Sequence, residues 1–386
     1  MSRPFSQSGP LRIGLFTHST NPRGGVVHVL ELGEALADLG HEIVVHAPDA
    51  PGAGFFRPVR TGQALIPAKR VSGDLGALVR QRVKEYTAYL RPRGREFDIY
   101  HAHDGISGSA LADLSDEGLI PGFVRTVHHL DDFADPCLRE AQDRSILAAS
   151  RCLCVSELWR RRLLERYGIT ASVVPNGVNA MRFHPSDSPA EALSAWEAPR
   201  FLAVGGIERR KNTVNILRAF LLARKAIGVG TLLIVGGATL LDHSAYRHAF
   251  DEVLGDADDG AVRSVIETGP LDDGAMVAAY RGADALVFPS LVEGFGLAVL
   301  EAMACGTPVI TSNLPPFTEY LTENDCLLVD PHDVPAIAAA MRRVVGRAMH
   351  DRLRGAGFRV SARFPWSVAA TAHVVAYLEP TPVCGE

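Results

Sequence analysis

Two glutamates eight positions apart, Glu293 and Glu301, bracket the run Gly294-Phe295-Gly296-Leu297. The first sits in a glycine-rich turn and the second in an apolar run that reads as helix. An ionised carboxylate accepts several hydrogen bonds, so a pair of them suits a hydroxyl-rich partner. A helix N-terminus with glycines ahead of it turns backbone N–H groups toward an anion such as a diphosphate. Arg209-Arg210-Lys211 supplies cations, a planar guanidinium fork beside a compact ammonium, of the kind that stabilises charge developing on a leaving diphosphate. Histidines form two more groups, His101-Ala102-His103-Asp104 and His128-His129, each ending an apolar run. Alternate residues of a strand face one side, so H-x-H-D also fits a metal-dependent hydrolase.

These residues need elements to position them. Asp284 to Ser290 reads as a buried strand ending at Pro289, which puts Glu293 just past a strand and Glu301 in the first helical turns. Open α/β sheets bind ligands at such carboxyl ends. The whole chain alternates strand and helix, the mark of parallel α/β domains. Strands are expected over residues 11–17, 42–47, 97–101, 123–128 and 152–156, then over 201–205, 231–236, 285–288 and 308–311. Val26 to Leu39 has helical periodicity with Gly40 as its stop, and Leu75 to Leu90 is a second helix. Gly24-Gly25 opens the first helix directly after the first strand, where glycine lets a ligand approach the backbone. No G-x-G-x-x-G stands there, which argues against a nicotinamide site. Pro48 to Ser72 reads as a long loop, and Ser186 to Pro199 as an interdomain linker. A last helix is expected from Ser367 to Leu378.

A length of 386 residues suggests two domains, and 47% hydrophobic with 22% charged residues is ordinary for a soluble globular protein. A formal charge of −5 provides no global basic field for nucleic acid. Arg160-Arg161-Arg162 fits a solvated helix face or an anionic membrane surface. Six scattered cysteines (137, 152, 154, 305, 326 and 384) contain no C-x-x-C pair. They read as reduced thiols in a cytoplasmic protein, with no disulfide framework or zinc site. The polar start, Met1 to Pro10, lacks a signal peptide, and no run of about 18 apolar residues spans a membrane.

Phe288-Pro289-Ser290, then Glu293-Gly294-Phe295-Gly296-Leu297 through Glu301-Ala302-Met303-Ala304-Cys305-Gly306-Thr307-Pro308-Val309, resembles glycosyltransferase family 4, the retaining nucleotide-sugar glycosyltransferases with an E-x7-E signature. The resemblance spans nearly the whole chain and is most specific from Asp284 to Ile310. It implies an α/β GT-B architecture of two facing Rossmann-like domains with parallel sheets. Residues 1–185 would bind the acceptor, 186–362 the nucleotide-sugar donor, and 363–386 would carry a helix back to the first domain.

The resemblance also assigns residues. Glu293 approaches the sugar hydroxyls, the amides of Gly294, Phe295, Gly296 and Leu297 face sugar or phosphate, and Glu301 holds the ribose hydroxyls. Ser290, Gly24, Gly25 and Gly205 complete the donor site, and Pro270 and Leu271 lie near the base. His128 aligns with a histidine beside the donor sugar, where it can bond a sugar hydroxyl; a satisfied core histidine is the alternative. His103, Asp104 and His129 fall on the acceptor side, with no metal implied at H-x-H. Gly205 to Asn212 corresponds to the family's V-G-R-L-x-x-x-K-G loop, with two departures: Gly206 replaces the usual Arg and Asn212 the final Gly. Lys211 keeps the lysine, and Arg210 is placed to supply the missing guanidinium.

The function implied is retaining transfer of a sugar from a nucleoside diphosphate to an acceptor hydroxyl. It needs no cofactor beyond that donor, and no metal if Arg210, Lys211 and helix dipoles neutralise the diphosphate. Its partners are the donor and an acceptor of unspecified identity, with peripheral contact to an inner membrane face open. A sugar-nucleotide epimerase or a phosphorylase-like enzyme is the alternative on the same fold, and a non-catalytic sugar-nucleotide binder is another.

Overall fold

The computed structural model describes residues 9–71, 74–186, 195–237 and 243–379. Cys384, the first eight residues and most of the expected linker lie outside them. The chain divides into two compact units, residues 1–176 with 366–386, and residues 177–365. The division falls after Asn176, ahead of the Ser186 to Pro199 stretch that sequence composition singled out.

In the first unit, β1 (Arg12–Phe16), β2 (Glu42–Asp49), β3 (Gly62–Pro67), β4 (Ile99–Ala102), β5 (Val124–Val127), β6 (Arg151–Cys154) and β7 (Ser172–Val173) form one parallel sheet. Its order is β3-β2-β1-β4-β5-β6-β7. The strands next to its centre are buried on both faces, which is why they read as continuous apolar runs. β3 lies inside the stretch expected to be loop. It is an edge strand with alternating exposure, and its pairing with β2 is long-range, invisible to local pattern. Helix Gly24–Asp38 follows β1 and stops at Gly40, whose φ is +91°. Helix Leu75–Leu90 has the bounds its periodicity predicts, started by the Asp74 carboxylate accepting from Ala77 N. The C-terminal helix Trp366–Leu378 belongs to this unit and packs on helix Gly24–Asp38.

In the second unit, β8 (Arg200–Val204), β9 (Thr231–Val235), β10 (Val265–Gly269), β11 (Ala285–Phe288), β12 (Val309–Ser312) and β13 (Leu327–Val329) form another parallel sheet, ordered β10-β9-β8-β11-β12-β13. Its core gathers Phe201, Leu217, Phe220, Leu232, Val287 and Ile310. Both sheets reverse direction of winding beside their first strand, between β1 and β4 and between β8 and β11. Such switch points are where open α/β sheets bind ligands, and the residues singled out above follow the strands at both positions. No helix among the described residues is long and apolar enough to cross a membrane. Arg160 and Arg162 lie on helix Glu157–Tyr167 and pair with Glu157 and Glu165.

Candidate functional site

In the second unit the chain leaves β8 through Gly205 (φ +119°) and Gly206 (φ +73°), both donating N–H to Val235 O. A Cβ on Gly205 would lie 2.7 Å from Lys211 Cε, and one on Gly206 would lie 3.1 Å from Gly237 O. The position where the family carries arginine is thus a left-handed backbone position packed on another chain segment, which a side chain would strain. The loop closes in a short 3₁₀ turn, Arg209–Lys211, and Asn212 has φ 64°, the one non-glycine positive φ among the described residues. Asparagine tolerates this region. Its Nδ2 donates to Pro289 O at 3.0 Å and Pro331 O at 2.6 Å, tying the loop to the end of β11.

That tie brings the cations onto Glu293. Lys211 Nζ donates to Glu293 Oε1 at 2.5 Å and stands 4.5 Å from the centre of the Phe288 ring. Arg210 donates from its Nε to Glu208 at 2.8 Å and places its Nη1 3.4 Å from Glu293 Oε1. The Ser290 hydroxyl is buried beside the same carboxylate. Burial pushes the Glu293 carboxyl up, but Lys211 and Arg210 outweigh it and hold it below the usual range. Burial lowers the Lys211 ammonium, with Glu293 opposing.

Gly296, at φ +101°, precedes helix Leu297–Cys305, whose start has no side-chain cap. A Cβ at Gly296 would come within 2.6 Å of the Phe317 ring. Phe295 is held by packing: its ring stacks on Tyr320 at 4.8 Å and its carbonyl accepts from Tyr320 Oη. On the same helix Glu301 accepts from Tyr280 Oη at 2.7 Å. Pro270 and Leu271 follow β10, and Pro270 lies against Gly237. A cavity of about 260 Å³, lined by Gly205, Gly206, Glu208, Gly237, His243 and Glu267, opens beside this loop. Tyr280 and Glu208 carry no motif, and sequence reasoning missed them.

The first unit gathers a different set. His103, at the end of β4, is buried with neither ring nitrogen hydrogen-bonded. His128, past β5, sits edge-on to His28 with ring centres 4.6 Å apart. Burial first, then neighbouring imidazoles, keeps both well below the ordinary histidine pKa. A Cβ on Gly25 would be 3.7 Å from His128, and one on Gly24 would meet nothing within 4 Å, so the pair leaves open space at the helix start. Asp104 caps helix Gly105–Asp116, accepting from Ser107 N at 2.8 Å, with His18 at 3.7 Å. His129 stands apart, partly exposed and 3.1 Å from Asp131. His28 was unmarked in the sequence because it falls on the buried face of an ordinary amphipathic helix; its Nδ1 is 2.9 Å from Asn176 Oδ1.

Residues 22–182 match the family described as Glycosyltransferase Family 4, and residues 198–347 that described as Glycosyl transferases group 1. The chain is 32% identical to a phosphatidyl-myo-inositol mannosyltransferase of Mycolicibacterium smegmatis, covering 93% of this chain and 92% of that one. It is 28% identical to a D-inositol 3-phosphate glycosyltransferase of Nocardia farcinica, over 95% and 89% of the two chains. The fold is similar to that of sucrose-phosphate synthase from Thermosynechococcus elongatus, with a TM-score of 0.76, 24% identity, and coverage of 95% and 98%. With two parallel-sheet α/β units of the GT-B type and sequence similarity running through both, the chain belongs to glycosyltransferase family 4 and is a glycosyltransferase.

Proposed function

We propose that the protein transfers a sugar from a nucleoside diphosphate donor to an acceptor hydroxyl with retention of anomeric configuration. The observation that carries this reading is the convergence of Lys211 Nζ and Arg210 Nη1 on one oxygen of Glu293, ahead of a helix start without a side-chain cap. A diphosphate at that helix start meets two cations already held in place, so little reorganisation accompanies loss of the leaving group. Arg210 supplies the guanidinium that Gly206 lacks. Glu301, steadied by Tyr280, offers paired acceptors to a ribose diol. Glu293 and the backbone of Gly294 to Leu297 meet the sugar, with Ser290 beside them. Pro270 and Leu271 border the base. His128, neutral under ordinary conditions, hydrogen-bonds a sugar hydroxyl, and Gly24 and Gly25 leave room for the ligand at the first helix. The reaction runs on one face of the sugar, and the departing phosphate oxygen takes the acceptor proton.

Two relatives are named for inositol-containing acceptors, so inositol phosphates are the first acceptors to test. The reading is tested by thermal shift with UDP, GDP, ADP and CDP, since a ligand of the folded state raises apparent stability. A shift with one nucleoside diphosphate, lost in Glu301→Ala and Lys211→Ala, supports the site. No shift with any of the four removes the donor assignment. Product anomers read by NMR decide retention, and an inverted product sinks that part.

A further inference from the structure

Five imidazoles gather inside the first unit: His28, His101, His103, His128 and His373. His101 is satisfied at both nitrogens, by Tyr377 Oη at 2.8 Å and Thr126 Oγ1 at 2.7 Å. The other four are not. Nε2 of His28, His128 and His373, and both nitrogens of His103, are shielded from solvent with no hydrogen-bond partner. Each buried polar atom left unmatched costs about 1–3 kcal/mol. Several together in one place call for a ligand that matches them at once.

Three of these rings converge. One ligating nitrogen each from His28, His103 and His128 lies within 4.8 Å of the other two. The ring centres are 5.1 Å apart for His28 and His103, 4.6 Å for His28 and His128, and 5.7 Å for His103 and His128. Asn176 Oδ1 stands 2.9 Å from His28 Nδ1, and an amide oxygen only accepts. His28 therefore carries its proton on Nδ1 and presents the Nε2 lone pair to the cluster. A carbonyl oxygen behind the far nitrogen is the arrangement that fixes a ligating imidazole. Burial, the largest influence on all three rings, keeps them neutral, the form that has a lone pair to give.

We propose that His28, His103 and His128 bind one divalent transition ion of the zinc class. Imidazole suits zinc, nickel and copper, and the set contains no hard oxygen ligand of the kind magnesium or calcium needs. At a zinc–nitrogen distance of about 2.1 Å, tetrahedral ligands stand about 3.4 Å apart, so modest ring rotations close the set. Three protein ligands leave the fourth position to water. The ion occupies the His128 lone pair, so it and a donor-sugar hydroxyl exclude each other at that nitrogen; this consequence rests on the functional reading above, the site itself does not.

The test is titration of the tag-free, metal-stripped full chain with Co²⁺, followed by visible absorption. The expected result is saturation at one equivalent with d–d bands, bleached by Zn²⁺ and lost in His28→Gln and His103→Gln. His103→Cys guards against simple misfolding: it retains binding and gains a thiolate-to-cobalt band in the near ultraviolet. No saturable visible band in the wild type overturns the proposal and leaves water as the partner of these nitrogens. Bands unchanged in both glutamine variants, or no thiolate band in a folded His103→Cys protein, overturn it as well.

Discussion

Lys211 Nζ and Glu293 Oε1 are 2.5 Å apart although 82 residues separate them in the chain. The cation comes from the loop after β8 and the acid from the turn after β11, strands that are neighbours in the sheet. The pair links the two segments that follow the switch-point strands of the second unit.

Removing Lys211 leaves the buried Glu293 to Arg210 at 3.4 Å, and removing Glu293 takes from the buried Lys211 the carboxylate it donates to, each at a cost of up to about 3–5 kcal/mol. Lys211→Ala and Glu293→Ala each lower stability by that order in urea titrations. The double variant costs less than the sum, because neither charge then remains buried without the other. Additive losses would show that the two side chains do not depend on each other.

Asn212 contributes in two separable ways. Asn212→Gly keeps the left-handed backbone but loses the bonds to Pro289 O and Pro331 O, and should cost about 1–2 kcal/mol. Asn212→Ala loses the bonds and adds strain at φ 64°, about 1 kcal/mol more. Equal losses for the two variants in denaturant melts would mean that backbone conformation is not limiting there.

How much of this was legible follows from how far apart the partners are. The turn at Glu293, the following helix and the Arg210-Lys211 cations are contiguous motifs, and helix Leu75–Leu90 appears through its own periodicity. β3 did not, because an edge strand is defined by its neighbour. Tyr280 supports Glu301 from 21 residues away, and Asn176 meets His28 across 148. Such pairings exist only once the sheet order is set. The departure at Gly206 was visible, but its reason was not: it lies in the approach of Gly236 and Gly237 to that backbone.

Tyr280 Oη donates to Glu301 Oε2, and Tyr280 is wholly buried. Tyr280→Phe removes that donor while keeping the ring that packs on Phe183. A hydrogen bond to a charged group is worth about 1.5–3 kcal/mol, so the affinity for the cognate nucleoside diphosphate should fall roughly tenfold or more by calorimetry. A nucleoside analogue lacking the diol should lose little, since the contact proposed for Glu301 is with that diol. Equal loss for both ligands would assign Tyr280 to general packing instead.

His46 sets an acid limit on the first unit. Its ring is buried against Phe16, with centres 4.5 Å apart, and edge-on to Phe97. Burial lowers its pKa from 6.5 to about 4, against weaker opposing backbone hydrogen bonds. As pH falls below 6.5 the unfolded chain takes up the proton first, so stability is complete above that value and is lost progressively down to about pH 4. One such histidine accounts for about 3 kcal/mol over the window. His46→Leu removes the titrating ring, so its stability should decline less steeply from pH 6.5 to 4 than the wild type, by about that amount. The other buried histidines titrate in both proteins and cancel in the comparison. Parallel pH profiles for the two proteins would place the acid sensitivity elsewhere.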